Sequence, residues 1–259
     1  MTVRRGSPYE AALLPALFAV EDTHWWAAGM RRVSHALLDG VVLQPGWIAE
    51  IGCGAGAFAA ELAHRHPGRD VLAVDLHPAA LAVASGRRAQ QEHLYIAASD
   101  GQRLPLPDES CALVVTLDVL DQARIDPLLA LREIRRVLKP GGWLLLRVSA
   151  YPWLLGPHDR AFGTARRYSR VALDTTLVRG GLDPVRMTFA NSLLLPVAVA
   201  ARLAQRRQWL PATAGLAGVG RLNSLLARVL GGEALWLRRQ NLGWGLSLYA
   251  LARRAASAG

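Results

Sequence analysis

Glu50-Ile51-Gly52-Cys53-Gly54-Ala55-Gly56 stands where a short apolar run, Ile48–Ile51, gives way to a helical stretch, Phe58–Arg65. A strand that turns into a helix through glycines can fold back sharply and bring main-chain N–H groups against a ligand with no Cβ in the way. Taken alone, the spacing leaves two readings. Gly52-x-Gly54-x-x-Ala57, with Asp75 at the end of the next strand, satisfies the dinucleotide fingerprint, in which the acid would hold the ribose hydroxyls of NAD. Glu50, two residues ahead of the first glycine, stands where a dinucleotide fold keeps an apolar strand residue.

Outward from this loop, apolar runs and helical stretches alternate. The pattern predicts strands over Ile48–Ile51, Asp70–Val74, Leu94–Ala97, Leu113–Leu117 and Trp143–Val148. Helices are predicted over Phe58–Arg65, Pro78–Glu92 and Ile125–Leu138, the last ended by Lys139-Pro140-Gly141-Gly142. Parallel strands need crossover connections, so this alternation implies an α/β fold with a mostly parallel sheet and helices on both faces. Residues 10–40 read as two helices, the second opening near Asp22-Thr23 and closing at Gly40. After residue 150 the alternation weakens: Val171–Arg179 reads as helix, Pro184–Phe189 as strand, and Ser192–Gln205 and Arg221–Arg239 as amphipathic helices. Leu222, Leu225, Leu226, Val229 and Leu230 form the apolar stripe of the last of these, and Leu246–Leu251 returns to the sheet. One unit is expected: a helical cap over 1–45, a ligand-binding core over 46–150, and a second half over 151–259 with a helical insertion at about 191–240.

The 259 residues are 52% hydrophobic and 19% charged, which excludes a disordered or collagen-like chain. The net charge of +10 is unevenly placed. Residues 1–150 hold 15 Lys+Arg against 16 Asp+Glu, whereas residues 151–259 hold 15 Arg against 4 Asp+Glu. That asymmetry points to an anionic partner of the second half: a phosphate-bearing substrate, a membrane surface or nucleic acid. Two cysteines, Cys53 and Cys111, imply no disulfide framework and suggest a reducing cytoplasm. Arg4-Arg5 and the apolar run after them do not make a signal peptide, because Glu10 and Pro15 interrupt it. The longest uncharged stretch, Met187 to Ala201, is shorter than the ~20 residues a spanning helix needs, so at most a peripheral contact with the inner face of the membrane is expected.

Further motifs decide between the two readings of the loop. Asp100 follows the third strand in Ala97-Ala98-Ser99-Asp100-Gly101, the fourth strand runs into Thr116-Leu117-Asp118-Val119-Leu120-Asp121-Gln122, and the next helix ends in Arg135-Arg136-Val137-Leu138-Lys139-Pro140-Gly141-Gly142. In this order, over residues 50–142, they resemble a class I S-adenosylmethionine (SAM)-dependent methyltransferase. The resemblance implies a Rossmann-like, seven-stranded sheet and SAM as cofactor, leaving S-adenosylhomocysteine, with no metal. It places Gly52, Cys53, Gly54 and Gly56 along the methionine part of SAM, with Glu50 steadying the loop. Asp75, followed by Leu76, would take the ribose hydroxyls, and Asp100 and Gly101 the adenine. Leu117 and Asp118 would border the methionine amine, and Arg31 its carboxylate. Asp75 and Asp100 also fit a role as caps of their own loops.

The flanks extend the likeness. Glu21-Asp22-Thr23-His24-Trp25-Trp26, then Gly29 and Arg31-Arg32, resembles the E-x-x-H-W-W…G-R-R start of a bacterial, type-11-like subgroup. His158-Asp159…Gly163…Arg166-Arg167-Tyr168 resembles its H-D-x-x-x-G-H-x-R-R-Y segment, and Asn241…Gly245-Leu246-Ser247-Leu248 its last strand. Some relatives are associated with glycolipid and cell-envelope pathways, which implies a small-molecule or lipid-linked acceptor. Two histidines of that pattern are missing: Thr164 and Gln122 stand in their places. The base candidates that remain are His158 oriented by Asp159, His24 and Tyr168. Trp25 and Trp26 would roof the acceptor or cofactor, and Arg166 and Arg167 would clamp an anionic acceptor. The insertion, with Arg202, Arg206, Arg207, Arg221 and Arg228, is read as a lid that leans on anionic lipid. A nucleic-acid methyltransferase is disfavoured, since no N/D-P-P-Y segment follows the fourth strand. A SAM-binding protein without catalysis is the other alternative.

Overall fold

The computed structural model describes residue 18, residues 21–211 and residues 222–256. The first of the two expected N-terminal helices and Arg221 lie outside the described residues. The elements run α1 (Trp25–Leu38), β1 (Trp47–Ile51), α2 (Ala57–Arg65), β2 (Val71–Asp75), α3 (Pro78–Arg88), β3 (Leu94–Ala98), β4 (Cys111–Leu117), α4 (Pro127–Val137) and β5 (Leu138–Ser149). There follow a 3₁₀ turn at Pro152–Leu154, α5 (Pro157–Ala161), α6 (Arg170–Arg179), β6 (Asp183–Ala190), α7 (Leu195–Arg206), α8 (Leu222–Leu237) and β7 (Ser247–Arg253).

The seven strands form one sheet in the order β3-β2-β1-β4-β5-β7-β6. Strands β1 to β5 are parallel, while β7 runs antiparallel between β5 and β6, with Leu145 opposite Leu251 and Met187 opposite Ala250. The strand order turns back between β1 and β4, and in open α/β sheets ligands bind outside the carboxyl ends of the strands at such a point. Alternation along each strand builds two cores. Ala49, Ile51, Val114, Leu144 and Leu146 pack with Leu131, Ile134 and Leu177 of α4 and α6. Ile48, Val115, Leu145 and Tyr249 pack on the other face with Met30, Val33, Phe58, Leu62 and Leu230 of α1, α2 and α8.

Local chemistry explains the boundaries. Pro127 occupies the first turn of α4, and the Asp126 carboxylate accepts from the Leu128 and Leu129 N–H groups, supplying partners to donors the helix leaves unpaired. Two expectations are corrected. Lys139-Pro140-Gly141-Gly142 does not merely stop α4, because β5 already begins at Leu138 and pairs with Cys111 ahead of an irregularity that absorbs the glycines. The buried stripe of α8 is Leu230, Glu233, Ala234 and Leu237, rotated from the expected one, and Leu225 is exposed. Glu233 is the reason: its carboxylate accepts from the backbone N–H groups of Asn191 and Ser192, so a charged residue sits on the inner face.

Candidate active site

The glycine loop is tied to the sheet by backbone. Gly52 and Cys53 donate their N–H groups to the Val74 carbonyl at 2.8 and 3.0 Å, which draws the loop over the end of β2. Gly52 has φ +72°, and a Cβ there would lie 2.3 Å from a Val119 methyl. Cys53 is buried, and burial pushes its thiol far up, so it is not a thiolate nucleophile. Asp75 ends β2 with Oδ2 accepting from Gly54 N–H at 2.9 Å and Oδ1 from His77 N–H at 2.8 Å. It therefore caps the loop. A carboxylate has about four acceptor positions, so both oxygens keep capacity for a further donor.

Around this loop the carboxyl ends of the strands bring acids together. Asp100 Oδ1 accepts from the Gln102 N–H at 2.9 Å and from its amide at 3.1 Å, and Gln102 Oε1 accepts from Asp126 N–H. Gly101 lies against the end of β1, where a Cβ would come within 2.6 Å of Ile51. Leu117 closes β4, and Asp118 follows at φ +59°, taking two hydrogen bonds from the buried Arg147 at 3.0 and 2.5 Å. Burial works against the charge on Arg147, but Asp118 and the Tyr249 oxygen outweigh it and hold the guanidinium protonated. The guanidinium also lies 4.9 Å from the Trp26 ring, which brings the start of α1 over the end of β4. Leu76 is exposed beyond Asp75.

A segment ahead of α1 lies across the loop. Phe18 meets the His77 ring edge-on at 5.4 Å, and Arg87 donates to the Ala55 carbonyl at 2.7 Å and to Asp22 at 2.8 Å. Burial raises the Glu21 carboxyl to about 6 against the pull of Arg31 and Arg87. Glu50, fully enclosed beneath the loop, is pushed well above the usual carboxylate range by burial and by Glu21. Glu21 Oε2, Glu50 Oε2, His24 Nε2 and Trp25 Nε1 are all buried without a hydrogen-bond partner. Buried polar atoms are rarely left so. Two uncompensated carboxyls beside backbone N–H groups, with Asp75 and Asp100 at the neighbouring strand ends, suit a ligand that carries positive charge, a ribose diol and an exocyclic amine. The residues present thus fit SAM. Arg31 is placed otherwise than expected: it donates to Glu61 at 2.8 Å and to the Glu21 carbonyl at 2.9 Å, holding the overlying segment down.

On the acceptor side the structure corrects several assignments. Asp159 turns its oxygens to Arg167, at 2.6 Å, and to Gly156 N–H, so the carboxylate is engaged by the arginine and not set to orient His158. His158 packs its ring 4.7 Å from Phe162 on α5. Arg167 also donates to the Ala150 carbonyl, and Arg166 to the Leu120 and Ile125 carbonyls at 3.0 and 2.7 Å. Both guanidiniums fasten the segment after β5 to the sheet. Tyr168 is buried and donates to the Leu120 carbonyl, and burial raises its hydroxyl, which excludes it as a base near neutral pH. His24 is half-buried, and burial lowers it, which favours the neutral imidazole. Gln122 and Thr164, which replace the two histidines of the resembling pattern, are bridge partners, so the two departures meet at one place.

Other residues were not legible in the sequence as parts of the site: Glu21, Gln102, Arg147 and Asp121. Asp121 is fully buried, accepts from Ser149 N–H at 3.1 Å, and has its second oxygen unpaired. Their partners lie up to about a hundred residues away, beyond any local pattern. Among the described residues no cluster of three or more His, Cys, Asp or Glu could hold a metal ion, and no helix is long and apolar enough to cross a membrane.

Comparison with known proteins agrees with this geometry. Residues 49–146 match the family described as methyltransferase domain. A malonyl-[acyl-carrier protein] O-methyltransferase of Marinomonas sp. is 35% identical over 98 residues, 38% of this chain and 36% of the relative. The ubiquinone/menaquinone biosynthesis C-methyltransferase UbiE of Rubrivivax gelatinosus is 37% identical over 117 residues, 44% of each chain. The chain therefore spans less than half the length of these two curated relatives. Among solved structures, a chain of the complex between the Haloferax volcanii Trm112 methyltransferase activator and a methyltransferase superposes with a TM-score of 0.63 at 20% identity, covering 97% of this chain and 98% of that one. That likeness shows the fold. The glycine loop at the switch point of a Rossmann-like sheet and the family match together mark residues 49–146 as a methyltransferase domain of the class I, SAM-dependent kind.

Proposed function

We propose that the protein transfers the methyl group of SAM to an oxygen of a small-molecule or lipid-linked acceptor. The observation that carries this reading is the set of buried, unpartnered groups around the loop: Glu21, Glu50, His24 and Trp25. Bound SAM supplies an activated methyl on a sulfonium, and displacement from it discharges the cation. What the protein contributes is alignment, which can account for roughly 7–11 kcal/mol of a barrier when donor and acceptor are held in line. Gly52 and Gly54, without side chains, leave room for the ligand against the backbone, Asp75 fixes the ribose and Asp100 the adenine. The Arg147–Asp118 pair stiffens the end of β4 beside them.

With Arg166 and Arg167 bound to carbonyls and Asp159, an anionic acceptor finds no clamp in that segment, and the reading narrows to a neutral hydroxyl. Such an acceptor needs its proton removed. His24, neutral and with an unpaired Nε2, is assigned that role, with the Trp25 ring 5.7 Å from its own. The test is incubation with methyl-labelled SAM and separate lipid, water-soluble and RNA fractions of a bacterial extract. Label is expected in the lipid or water-soluble fraction. Label in RNA alone would establish the nucleic-acid alternative, and SAM binding without label in any fraction would establish a non-catalytic role.

A further inference from the structure

Three strand ends away from the glycine loop meet at the same edge of the sheet. β5 ends at Ser149 and leads to Tyr151 and Trp153; β6 ends at Ala190 and leads to Leu193; β7, running the other way, begins at Ser247 just after Trp244. Their loops are tied together. Tyr151 stacks on Phe189 at 5.5 Å and its hydroxyl accepts from Gly245 N–H, while the Ser192 hydroxyl donates to the Trp244 carbonyl. The end of α7 joins them: Arg206 donates to the carbonyls of Trp153 and Leu155, and Arg207 lies 5.1 Å from the ring of Trp209.

This corner turns large apolar groups to solvent. Trp153 is 55% exposed, Trp209 70%, Trp244 60% and Leu193 66%. Buried tryptophans stabilise a core, but exposed ones next to arginines match the chemistry of a lipid headgroup layer, where the ring is apolar and its N–H is wet. The charge is complementary to an anionic surface. Of the four acids after residue 150, Asp159 and Glu233 are buried on Arg167 and on backbone N–H groups. Asp183 starts β6 at the opposite end of the sheet, and Asp174 lines a hollow with Pro184 and Val185 towards that end. Arg206 and Arg207 thus stand at the corner with no exposed acid from the second half of the chain beside them. Arg202, expected on this surface, is turned inward: it is half-buried with Nε unpartnered, and burial lowers it to about 10.

We propose that this corner docks on an anionic lipid bilayer, with Trp153, Trp209 and Trp244 entering the headgroup layer and Arg206 and Arg207 meeting lipid phosphates. The acceptor side of the sheet then opens towards the membrane. This deepens the function proposed above, and rests on it, by making the acceptor a lipid-borne one delivered from the bilayer.

The experiment is co-sedimentation of the full chain with vesicles of phosphatidylcholine plus phosphatidylglycerol, against phosphatidylcholine alone. Binding to the anionic vesicles is expected, weakening with salt, with a blue shift of tryptophan emission. Arg207→Glu should reduce partition at least about fivefold. Trp209→Ala with Trp244→Ala should abolish the emission shift and the binding. Thermal midpoints and stabilisation by S-adenosylhomocysteine should stay unchanged in every variant, which separates docking from folding. Equal binding to both vesicle types, no binding, or binding that survives the tryptophan pair overturns the proposal, as does displacement of the vesicles by a stable dimer that buries Trp209. Vesicle binding with no methyl transfer to any fraction defeats the function proposed above and leaves the docking surface standing.

Discussion

Asp121→Asn is expected to stabilise the protein at alkaline pH and to flatten its pH dependence. Asp121 has no exposed surface; one oxygen accepts from Ser149 N–H and the other has no partner. Burial, then the charge of Asp118, push its carboxyl from the ordinary 3.8 to about 6. A carboxyl whose pKa is raised on folding binds more protons in the native state. Its contribution is therefore fully present below the ordinary value and is lost as pH rises through about 6. A displacement of about two pH units corresponds to about 3 kcal/mol at ~1.4 kcal/mol per unit. Asparagine carries no charge, and its oxygen can still accept from Ser149. For a chain of this size that translates into a thermal midpoint higher by about 6–12 °C at pH ~8, and into little change at pH ~4. Thermal scans of parent and variant across this range are the assay. Curves that run parallel at every pH, or a variant below the parent on the alkaline side, would refute the reasoning. Asp118→Asn supplies the contrast, since it strands the buried Arg147 and should destabilise by about 3–5 kcal/mol wherever Asp118 is ionised.

Gly52→Ala forces a methyl to within 2.3 Å of Val119 and holds alanine at φ +72°; it should remove stabilisation by SAM in a thermal shift assay and lower stability by about 1–2 kcal/mol. Asp75→Asn should weaken SAM about 10- to 100-fold by calorimetry, since charge-assisted bonds contribute ~1.5–3 kcal/mol each. Arg166→Ala leaves the Ile125 carbonyl without its guanidinium donor and the Leu120 carbonyl with Tyr168 alone, and should lower the thermal midpoint while leaving the KM of the acceptor unchanged. His24→Gln should lower kcat by about a hundredfold or more with SAM affinity unchanged, measured by steady-state kinetics and calorimetry on the same preparation.

Periodicity made the architecture legible. The runs around Ile48, Val71, Leu94, Leu113 and Trp143 became β1 to β5, most within a residue or two, because buried parallel strands and their crossover helices write their own hydrophobic patterns. The glycine loop was equally plain, since only glycine tolerates the turn at Gly52. Partner choice was not. Arg166-Arg167 reads as a free cationic pair, yet Arg167 finds Asp159 eight residues back and Arg166 finds carbonyls more than forty residues back. His158-Asp159 reads as an imidazole and its orienting acid, but a guanidinium with a planar fork of donors holds the buried carboxylate instead. Glu233 breaks the stripe of α8 because its partners, the N–H groups after β6, are set by tertiary contact. Arg147 looks like an error in an apolar strand until Asp118, Tyr249 and Trp26 surround it.

The place of β7 has a consequence for how the chain is made. Among the described residues β6 pairs with no strand but β7, and β7 separates it from β5. Until Ser247–Arg253 has left the ribosome, β6 has no ladder to join, β5 shows an open edge, and α7 and α8 hang between two strands that are not yet neighbours. The strands beside the glycine loop can assemble first, whereas the second half closes only once β7 has been made. A message that stops short of Ser247 therefore yields no reduced enzyme but a cofactor-binding half with an unpaired β5 edge, a template for aggregation and a substrate for cellular quality control. The tryptophan corner, in which Tyr151 and Ser192 are tied to Trp244 and Gly245 just ahead of β7, is whole only on chains that carry β7.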